Sequence, residues 1–201
     1  MKQMIKKIAI IFAAALAAFH ACAGSVSLSL ETPKMNSSRK HSGASKSSKA
    51  RNKKMTDETK RSYDYSGRIS FSGGKDESMN VTLEAYFVTR GVGESSSPER
   101  PNGRTVVGVY EFGPGKPRSA EFTFSSPTYT QTTKTTVKTS KSRGRGRNRV
   151  GGSTKMDKTT TGERCTCVVL RAVSGGKVLK VVVEPSNSRW EEAARKIDFG
   201  R

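Results

Sequence analysis

The sequence predicts an all-β protein, an antiparallel β-sandwich that ends in a short C-terminal helix, with a small barrel as the alternative. About seven segments alternate apolar and polar residues, as half-buried strands do. Turn residues, mainly Gly and Pro, separate these segments at short intervals. No helical periodicity interrupts the series before the C-terminal end, so the strands pair without helical crossovers.

The first 23 residues have the three parts of a secretory signal peptide. A lysine-containing start is followed by an unbroken apolar run at residues 8–19 and by a small-residue cleavage pattern at residues 21–23. The apolar run is shorter than the roughly 20 residues that a membrane-spanning helix needs. We therefore expect export to the periplasm or the extracellular space. A lipid anchor on Cys22 is less favoured, because the preceding residues resemble a lipobox poorly.

A first strand is predicted within residues 24–32, where Ser25–Leu30 alternates serine with an apolar residue. Residues 33–62 follow as a segment rich in Ser, Lys and Arg that has almost no large apolar side chain. Such a segment buries too little apolar surface to offset its ordering entropy. The sequence therefore predicts that residues 33–62 are disordered.

The net charge of +20 is concentrated in two segments. Residues 34–61 hold ten Lys or Arg and two acids, and residues 134–158 hold nine Lys or Arg and one acid. Each segment therefore carries +8, while the predicted signal peptide adds +3 and the rest of the chain is almost neutral. The basicity is a property of these two segments and not of the predicted core.

Residues 63–201 are predicted to form the sandwich domain, whose strand count is immunoglobulin-like. The clearest strand is 79–89, in which Val81, Leu83, Ala85 and Phe87 alternate with polar or amphipathic residues. Two β-rich runs flank Gly-Gly at 175–176 and predict a hairpin. The predicted strands are 63–72, 79–89, 105–112, 119–124, 129–140, 164–173 and 178–184.

Within this domain, residues 128–162 are predicted to be an exposed basic ribbon or loop. The segment 129–140 is rich in threonine, a β-branched residue, but has few large apolar groups. The segment 143–149 alternates Gly with charge and is predicted to hold no regular structure. A second loop is predicted at 91–104 from its Gly, Ser and Pro content.

A short helix is predicted after Ser188, which precedes Glu191 at the spacing of a capping box. We expect this helix to place Trp190 and Ala194 against the sheet.

The two cysteines of the predicted domain, Cys165 and Cys167, lie two residues apart on one predicted strand. Alternation predicts that both face the same side of the sheet. A disulfide between them would be strained, and a redox role requires an exposed thiol with a lowered pKa. Two small core residues are therefore the favoured interpretation.

The sequence offers little for catalysis. Its two histidines are His20, in the predicted signal peptide, and His41, in the predicted disordered segment. We therefore predict no catalytic residue, no metal site and no cofactor. The predicted function is that of a secreted, non-enzymatic binding or structural module. A secreted hydrolase or inhibitor with its site on loops such as 91–104 is the alternative.

The Arg-Gly segment at 143–149 resembles the arginine-glycine tracts that bind single-stranded nucleic acid or other polyanions. Arg forks match phosphate and sulfate geometry, and Gly lets the chain follow an irregular ligand. A solvated tip that protects a sheet edge explains the same residues about as well. The expected partners are an anionic glycan, lipopolysaccharide or extracellular nucleic acid. The candidate polyanion-binding residues are Arg39, Lys40, Lys53, Lys54, Lys138, Lys141, Arg143, Arg145, Arg147 and Arg149.

Overall fold

The computed structural model describes residues 24–43, 52–93, 98–141 and 152–199. The predicted signal peptide and the Arg-Gly segment at 143–149 lie outside these residues. The described chain is almost entirely antiparallel β-sheet with one short helix, so the all-β prediction is confirmed. Its elements are β1(Ser25–Leu30), β2(Lys34–Ser42), β3(Asn52–Ser72), β4(Met79–Val92), β5(Arg100–Phe112), β6(Ser119–Ser125), β7(Tyr129–Lys141), β8(Gly152–Ser174), β9(Lys177–Glu184) and α1(Ser188–Ala193).

The nine strands form one open sheet in the order β1-β3-β7-β8-β4-β5. Two long strands organise it: β3 has 21 residues and β8 has 23, and each pairs with different neighbours along its length. Strands β2 and β6 also pair with β3, and β9 also pairs with β8. The sheet therefore has two regions. We call residues 34–42, 52–64, 129–141 and 152–162 the ribbon, and the other described residues the body.

A first apolar cluster fills the body between the C-terminal halves of β3 and β8 and their neighbours. Strand β4 supplies Val81, Leu83, Ala85 and Phe87, all of them fully buried, as the alternation predicts. The same cluster includes Ile69 from β3 together with residues of β1, β5, β6 and β8. The body thus has a core built by strands from both ends of the sheet order.

A second apolar cluster covers the other side of β4, β8 and β9. Helix α1 and the residues after it supply Trp190, Ala194 and Phe199, all buried, so the predicted docking of the helix is confirmed. The predicted cap is wrong by one residue: Asn187, not Ser188, is the N-cap, and its side-chain oxygen accepts a hydrogen bond from the Trp190 amide at 3.4 Å. Its extended backbone and short amide side chain suit that position.

A buried arginine lies beneath this C-terminal cover. Arg171 is only 1% exposed, and its guanidinium lies over the rings of Tyr86 and Phe199. Its Nε is 3.7 Å from Oε2 of buried Glu84, and its Nη1 donates to the Lys196 carbonyl at 3.1 Å. The Glu84 carboxylate and the two aromatic rings therefore offset part of the cost of removing the guanidinium from water.

The prediction of disorder at 33–62 is wrong for the residues that the structure describes. Residues 34–42 form β2, and β3 begins at Asn52. All nine residues of β2 are exposed, so no apolar core orders this segment. The order comes instead from backbone pairing, because β3 pairs with β2 on one side and with β7 on the other.

Other strand boundaries also extend beyond the apolar alternation. Strand β4 ends at Val92 and β5 starts at Arg100, which shortens the loop predicted at 91–104. Strand β8 starts at Gly152, twelve residues before its predicted start. The predicted hairpin between β8 and β9 is confirmed, with Gly175 at φ 54° and Gly176 at φ 77°. Two successive positive φ values are those of a type I′ turn, which glycine adopts without strain.

The prediction that Cys165 and Cys167 face the same side is also wrong. A β-bulge interrupts the β4–β8 pairing at this point: Val88 pairs with Cys167 and Thr89 with Cys165, which leaves Thr166 without a partner in the ladder. Cys165 therefore packs against the first apolar cluster and Cys167 belongs to the second. Both thiols are free.

Candidate functional site: a two-faced cationic ribbon

The ribbon consists of two basic hairpins joined edge to edge. Strands β2 and β3 form the first hairpin, with Ser42 opposite Thr56. Strands β7 and β8 form the second, with Lys141 opposite Gly152. Ten consecutive pairs between β3 and β7, from Asn52–Lys138 to Arg61–Tyr129, unite them into one four-stranded sheet. The described parts of the two basic segments, distant in sequence, are therefore side by side in space.

Threonine and glycine explain how this region forms strands without a core. Threonines are frequent in β7 and β8, and β-branched side chains favour extended backbone. The hydroxyls of Thr133 and Thr160, opposite each other, are 3.1 Å apart. At the junction with the body, Gly162 has φ 124°, and a Cβ there would collide with the Thr130 carbonyl oxygen. Only glycine allows β7 and β8 to approach this closely at the junction.

The strand register assigns the side chains of the ribbon to two faces. Paired residues of neighbouring strands share a face, and alternate residues of one strand do too. One face carries seven lysines, and we call it the lysine face: Lys34, Lys40, Lys54, Lys60, Lys134, Lys138 and Lys155. The other carries apolar groups among fewer cations, and we call it the methionine face: Met35, Met55, Val137 and Met156, with Arg39, Lys53, Arg61 and Lys158.

Carboxylates neutralise the lysine face only in part. Asp157 lies between Lys138 and Lys155, which are opposite each other, with an oxygen 3.9 Å from each ammonium nitrogen. Glu58 pairs with Lys60 at 3.3 Å and lies opposite Lys40 in the strand register, and Asp64 lies opposite Lys34. Among the described residues, Lys40, Lys54 and Lys134 form no ion pair, and all three are exposed. The centre of this face therefore holds three lysines whose ammonium groups are not engaged in an ion pair with another described residue.

The methionine face has its main ion-pair cluster around Asp57. Nη2 of Arg39 lies 2.9 Å from Asp57 Oδ2, and the His41 ring contacts the same carboxylate. The hydrogen bond from Arg39, followed by that from His41, lowers the pKa of Asp57 below its ordinary value. This cluster interrupts the cations of the methionine face halfway along the ribbon.

The structure divides the predicted binding residues between the two faces. Lys40, Lys54 and Lys138 lie on the lysine face, whereas their neighbours Arg39 and Lys53 lie on the methionine face. Lys141 is the last residue of β7, and Arg143, Arg145, Arg147 and Arg149 lie outside the described residues. Sequence reasoning missed six members of the ribbon faces: Lys34, Lys60, Arg61, Lys134, Lys155 and Lys158. Alternation within each strand could have found them, but only once the four strands were known to pair.

The cysteines lie near a small cavity where the ribbon meets the body. This cavity of about 160 Å³ is lined by Tyr63, Tyr65, Cys165, Cys167 and Glu184, among others. Burial raises the pKa of the Cys165 thiol above its ordinary value and that of Cys167 to about 12. Both thiols are therefore protonated near neutral pH, which disfavours nucleophilic chemistry at this point.

A larger cavity, of about 450 Å³, lies beside the loop predicted at 91–104. Its lining includes one carboxylate, Glu163, and one cation, Arg100. The two are joined at 3.4 Å, and Asn102 donates to the other Glu163 oxygen at the same distance. The carboxylate is thus held by polar neighbours beside the cavity.

Across the described residues, no three His, Cys, Asp or Glu side chains cluster closely enough to hold a metal ion. The same residues include no helix long and apolar enough to cross a membrane. No protein-family model, no curated protein and no solved structure matches this chain.

Proposed function

We propose that this protein is a secreted, non-enzymatic module that binds a polyanion through its ribbon. The observation that supports the proposal is the pairing of β3 with β7, which joins the two basic hairpins. The four ribbon segments hold twelve Lys and Arg against four Asp and Glu. A linear or surface-bound polyanion therefore meets one continuous cationic sheet instead of two separate tails.

An ordered sheet binds differently from a disordered tail. A tail must lose conformational entropy when it binds, whereas paired strands have already lost most of theirs on folding. The attraction itself comes from charge neutralisation and the release of counterions from the polyanion. The ribbon should therefore bind without base or sugar sequence preference and with strong dependence on salt.

The body supplies the scaffold in this proposal. Strands β1, β3 and β6 and strands β4, β5 and β8 contribute to one apolar cluster, which supports a sandwich-like arrangement of the body. Such a core would hold the junctions of β3 and β8 in place. The ribbon would then project from a rigid base with both faces open to ligand.

The test compares equal charge removal in the two regions. One variant replaces Lys53, Lys54, Lys134 and Lys158 of the ribbon with Gln, and the control replaces Lys75, Lys116, Lys177 and Lys180 of the body. Binding to heparin and to a double-stranded DNA fragment is measured over a salt series. Each neutralised phosphate contributes roughly 0.9 to the slope of log K against log salt for duplex DNA.

We expect the ribbon variant to flatten the slope by up to about 3.6 units and the body variant to flatten it by less than about one. Equal effects of the two variants would mean that binding follows total charge, and the ribbon would not be the site. Turnover of a glycan or peptide library by the unmodified protein would instead favour the hydrolase alternative.

A further inference from the structure

The lysine face presents its charges at regular intervals along the ribbon. Successive rows of paired side chains on one face are two residues apart, which is about 6.8 Å along a strand. Five successive rows each contain at least one lysine. From the tip towards the body, the lysines of these rows are Lys138 with Lys155, then Lys54, Lys134, Lys40 and Lys60.

The three central rows contain the lysines without an ion pair to another described residue, although Glu58 lies opposite Lys40 and Asp157 lies in the same row as Lys54. Lys54, Lys134 and Lys40 lie on β3, β7 and β2, are exposed, and form no ion pair among the described residues. Neighbouring strands are about 4.8 Å apart, and the lysines of the five rows are spread over all four strands, with Lys155 on β8 and Lys40 on β2 three strand spacings apart. The result is a zigzag band of lysines about 27 Å long over the five rows and about 14 Å wide.

The methionine face offers no equivalent path. Its tip end carries Met55, Val137 and Met156, and its middle holds the Arg39–His41–Asp57 cluster, in which the cations already have a carboxylate. Lys53 and Lys158 are exposed there without an ion pair but have apolar neighbours on their face. A linear polyanion on this face would meet interrupted charge and apolar side chains.

We propose that the lysine face is the binding surface and that its ligand is a linear acidic polysaccharide that runs along the ribbon. This inference rests on the proposed polyanion-binding function and specifies its surface and its ligand class. The path of charge fits a chain with regularly spaced carboxylate or sulfate groups. Threonines lie between the lysines, among them exposed Thr130, Thr159 and Thr161, and their hydroxyls can exchange hydrogen bonds with sugar hydroxyls.

Two features of this face favour a polysaccharide over single-stranded nucleic acid. Base binding without sequence preference depends on aromatic platforms, and the five rows of the lysine face contain no aromatic residue in the part of the ribbon that the structure describes. The aromatic residues of the ribbon, Tyr63 and Tyr129, lie on the other face in register with Met35 and Arg61. The cations are all lysines, point charges that do not select for the bidentate geometry of phosphate as Arg does.

Adjacent residues of the ribbon provide a matched test. Lys54→Gln with Lys134→Gln removes two free charges from the lysine face. Lys53→Gln with Lys158→Gln removes two free charges from the methionine face, one of them from the neighbouring residue of the same strand. Affinities are measured for heparin tetrasaccharide, heparin decasaccharide, polygalacturonate fragments and an oligodeoxythymidylate, with the four-lysine ribbon variant as reference.

We expect the lysine-face variant to weaken decasaccharide binding about tenfold and the methionine-face variant to weaken it less than about threefold. The decasaccharide should bind more tightly than the tetrasaccharide, because only the longer fragment spans the path. Lys54→Arg with Lys134→Arg should restore most of the affinity. Unchanged unfolding midpoints confirm that each variant is folded.

Each of the other possible outcomes overturns a defined part of the proposal. Equal weakening by the two double variants would overturn the assignment of the lysine face, while the proposed polyanion binding would stand. Tighter binding of the oligodeoxythymidylate than of the polysaccharides would overturn the ligand class. If even the four-lysine ribbon variant binds as the unmodified protein does, the proposed function fails, and this inference fails with it.

Discussion

The body and the ribbon are parts of the same sheet, but different forces order them. In the body, β4 has seven consecutive buried residues, because apolar clusters cover both of its faces. In the ribbon, β2 has nine consecutive exposed residues, and Tyr129 at the junction is the buried one among the ribbon side chains that the structure describes. Apolar burial therefore orders the body, whereas backbone pairing orders the ribbon.

Because of this difference, the residues that stabilise the fold and the residues proposed to bind the ligand lie in different regions. A region without a core contributes little to burial, so its side chains can change with little effect on the free energy of unfolding. The body cannot change so freely, because its interior is close-packed. The proposed binding charges lie in the region that tolerates substitution, and the three predictions below test whether this division holds.

The largest effect is expected from truncation in the body. Phe87 is fully buried, with ring centroids 6.3 Å from Tyr65 and 6.2 Å from Phe124. Phe87→Ala should lower the free energy of unfolding by about 3–5 kcal/mol, because it removes buried apolar surface and leaves a cavity. Val137→Ala, its counterpart in the ribbon, should cost less than about 1 kcal/mol. Urea denaturation measures both, and similar losses would show that the ribbon has a packed core after all.

The same difference explains how much of the fold the sequence predicts. The body strands were predictable because burial leaves an alternation of apolar residues, as at Val26, Leu28 and Leu30 in β1 or at 81–87 in β4. Strand β2 leaves no such pattern: its pairing with β3 depends on backbone groups that every residue has. Composition then predicts disorder, because it counts the side chains that could be buried and not the hydrogen bonds between strands.

Irregularities of the backbone are a second reason why the sequence does not predict the whole fold. The bulge opposite Val88 and Thr89 separates Cys165 from Cys167, although strict alternation places them together. One extra residue in a strand reverses the face of every residue beyond it. A bulge is a property of two paired strands, and the sequence of β8 alone does not reveal it.

An intermediate effect is expected at the junction of the two regions. Gly162→Ala introduces a Cβ at φ 124° and against the Thr130 carbonyl, so β7 and β8 must move apart. We expect a loss of about 1–3 kcal/mol and a decrease in hydrogen-exchange protection in β7 and the first half of β8. Gly103→Ala is the control, since Gly103 also has a positive φ, 81°, but a Cβ there meets open space.

If both glycine variants behave alike, the cost at residue 162 comes from the backbone conformation and not from the approach of β7. Decreased protection spread over the body as well as the ribbon would contradict the division of the sheet at Gly162.

The sequence predicts that the candidate site is basic, but it does not predict which face of the sheet each basic side chain occupies. The sequence indicates that basicity is concentrated in two segments, and the described parts of both lie in the ribbon. The sequence does not indicate that Lys54 shares a face with Lys134. Nor does it indicate that Lys53 shares the opposite face with Lys158, because both facts depend on which residues pair across strands. The faces of the ribbon thus require the register, which nonlocal pairing determines.

The smallest effect on stability, with a measurable effect on binding, is expected at Asp157. Its carboxylate lies between Lys138 and Lys155 at the tip end of the lysine face, 3.9 Å from each ammonium. All three side chains are at least 46% exposed, so Asp157→Asn should cost less than about 1 kcal/mol, and less still at high salt. The variant also frees two lysines on the proposed polysaccharide path, so heparin decasaccharide should bind more tightly and elute at higher salt.

Glu111→Gln is the matched control, because Glu111 forms an exposed ion pair with Lys116 in the body, at 3.6 Å. An equal gain in affinity from both variants would show that the net charge of the protein, and not the ribbon, governs binding. A gain from Asp157→Asn alone would locate the ligand at the tip end of the lysine face, in the region where charge can change without loss of the fold.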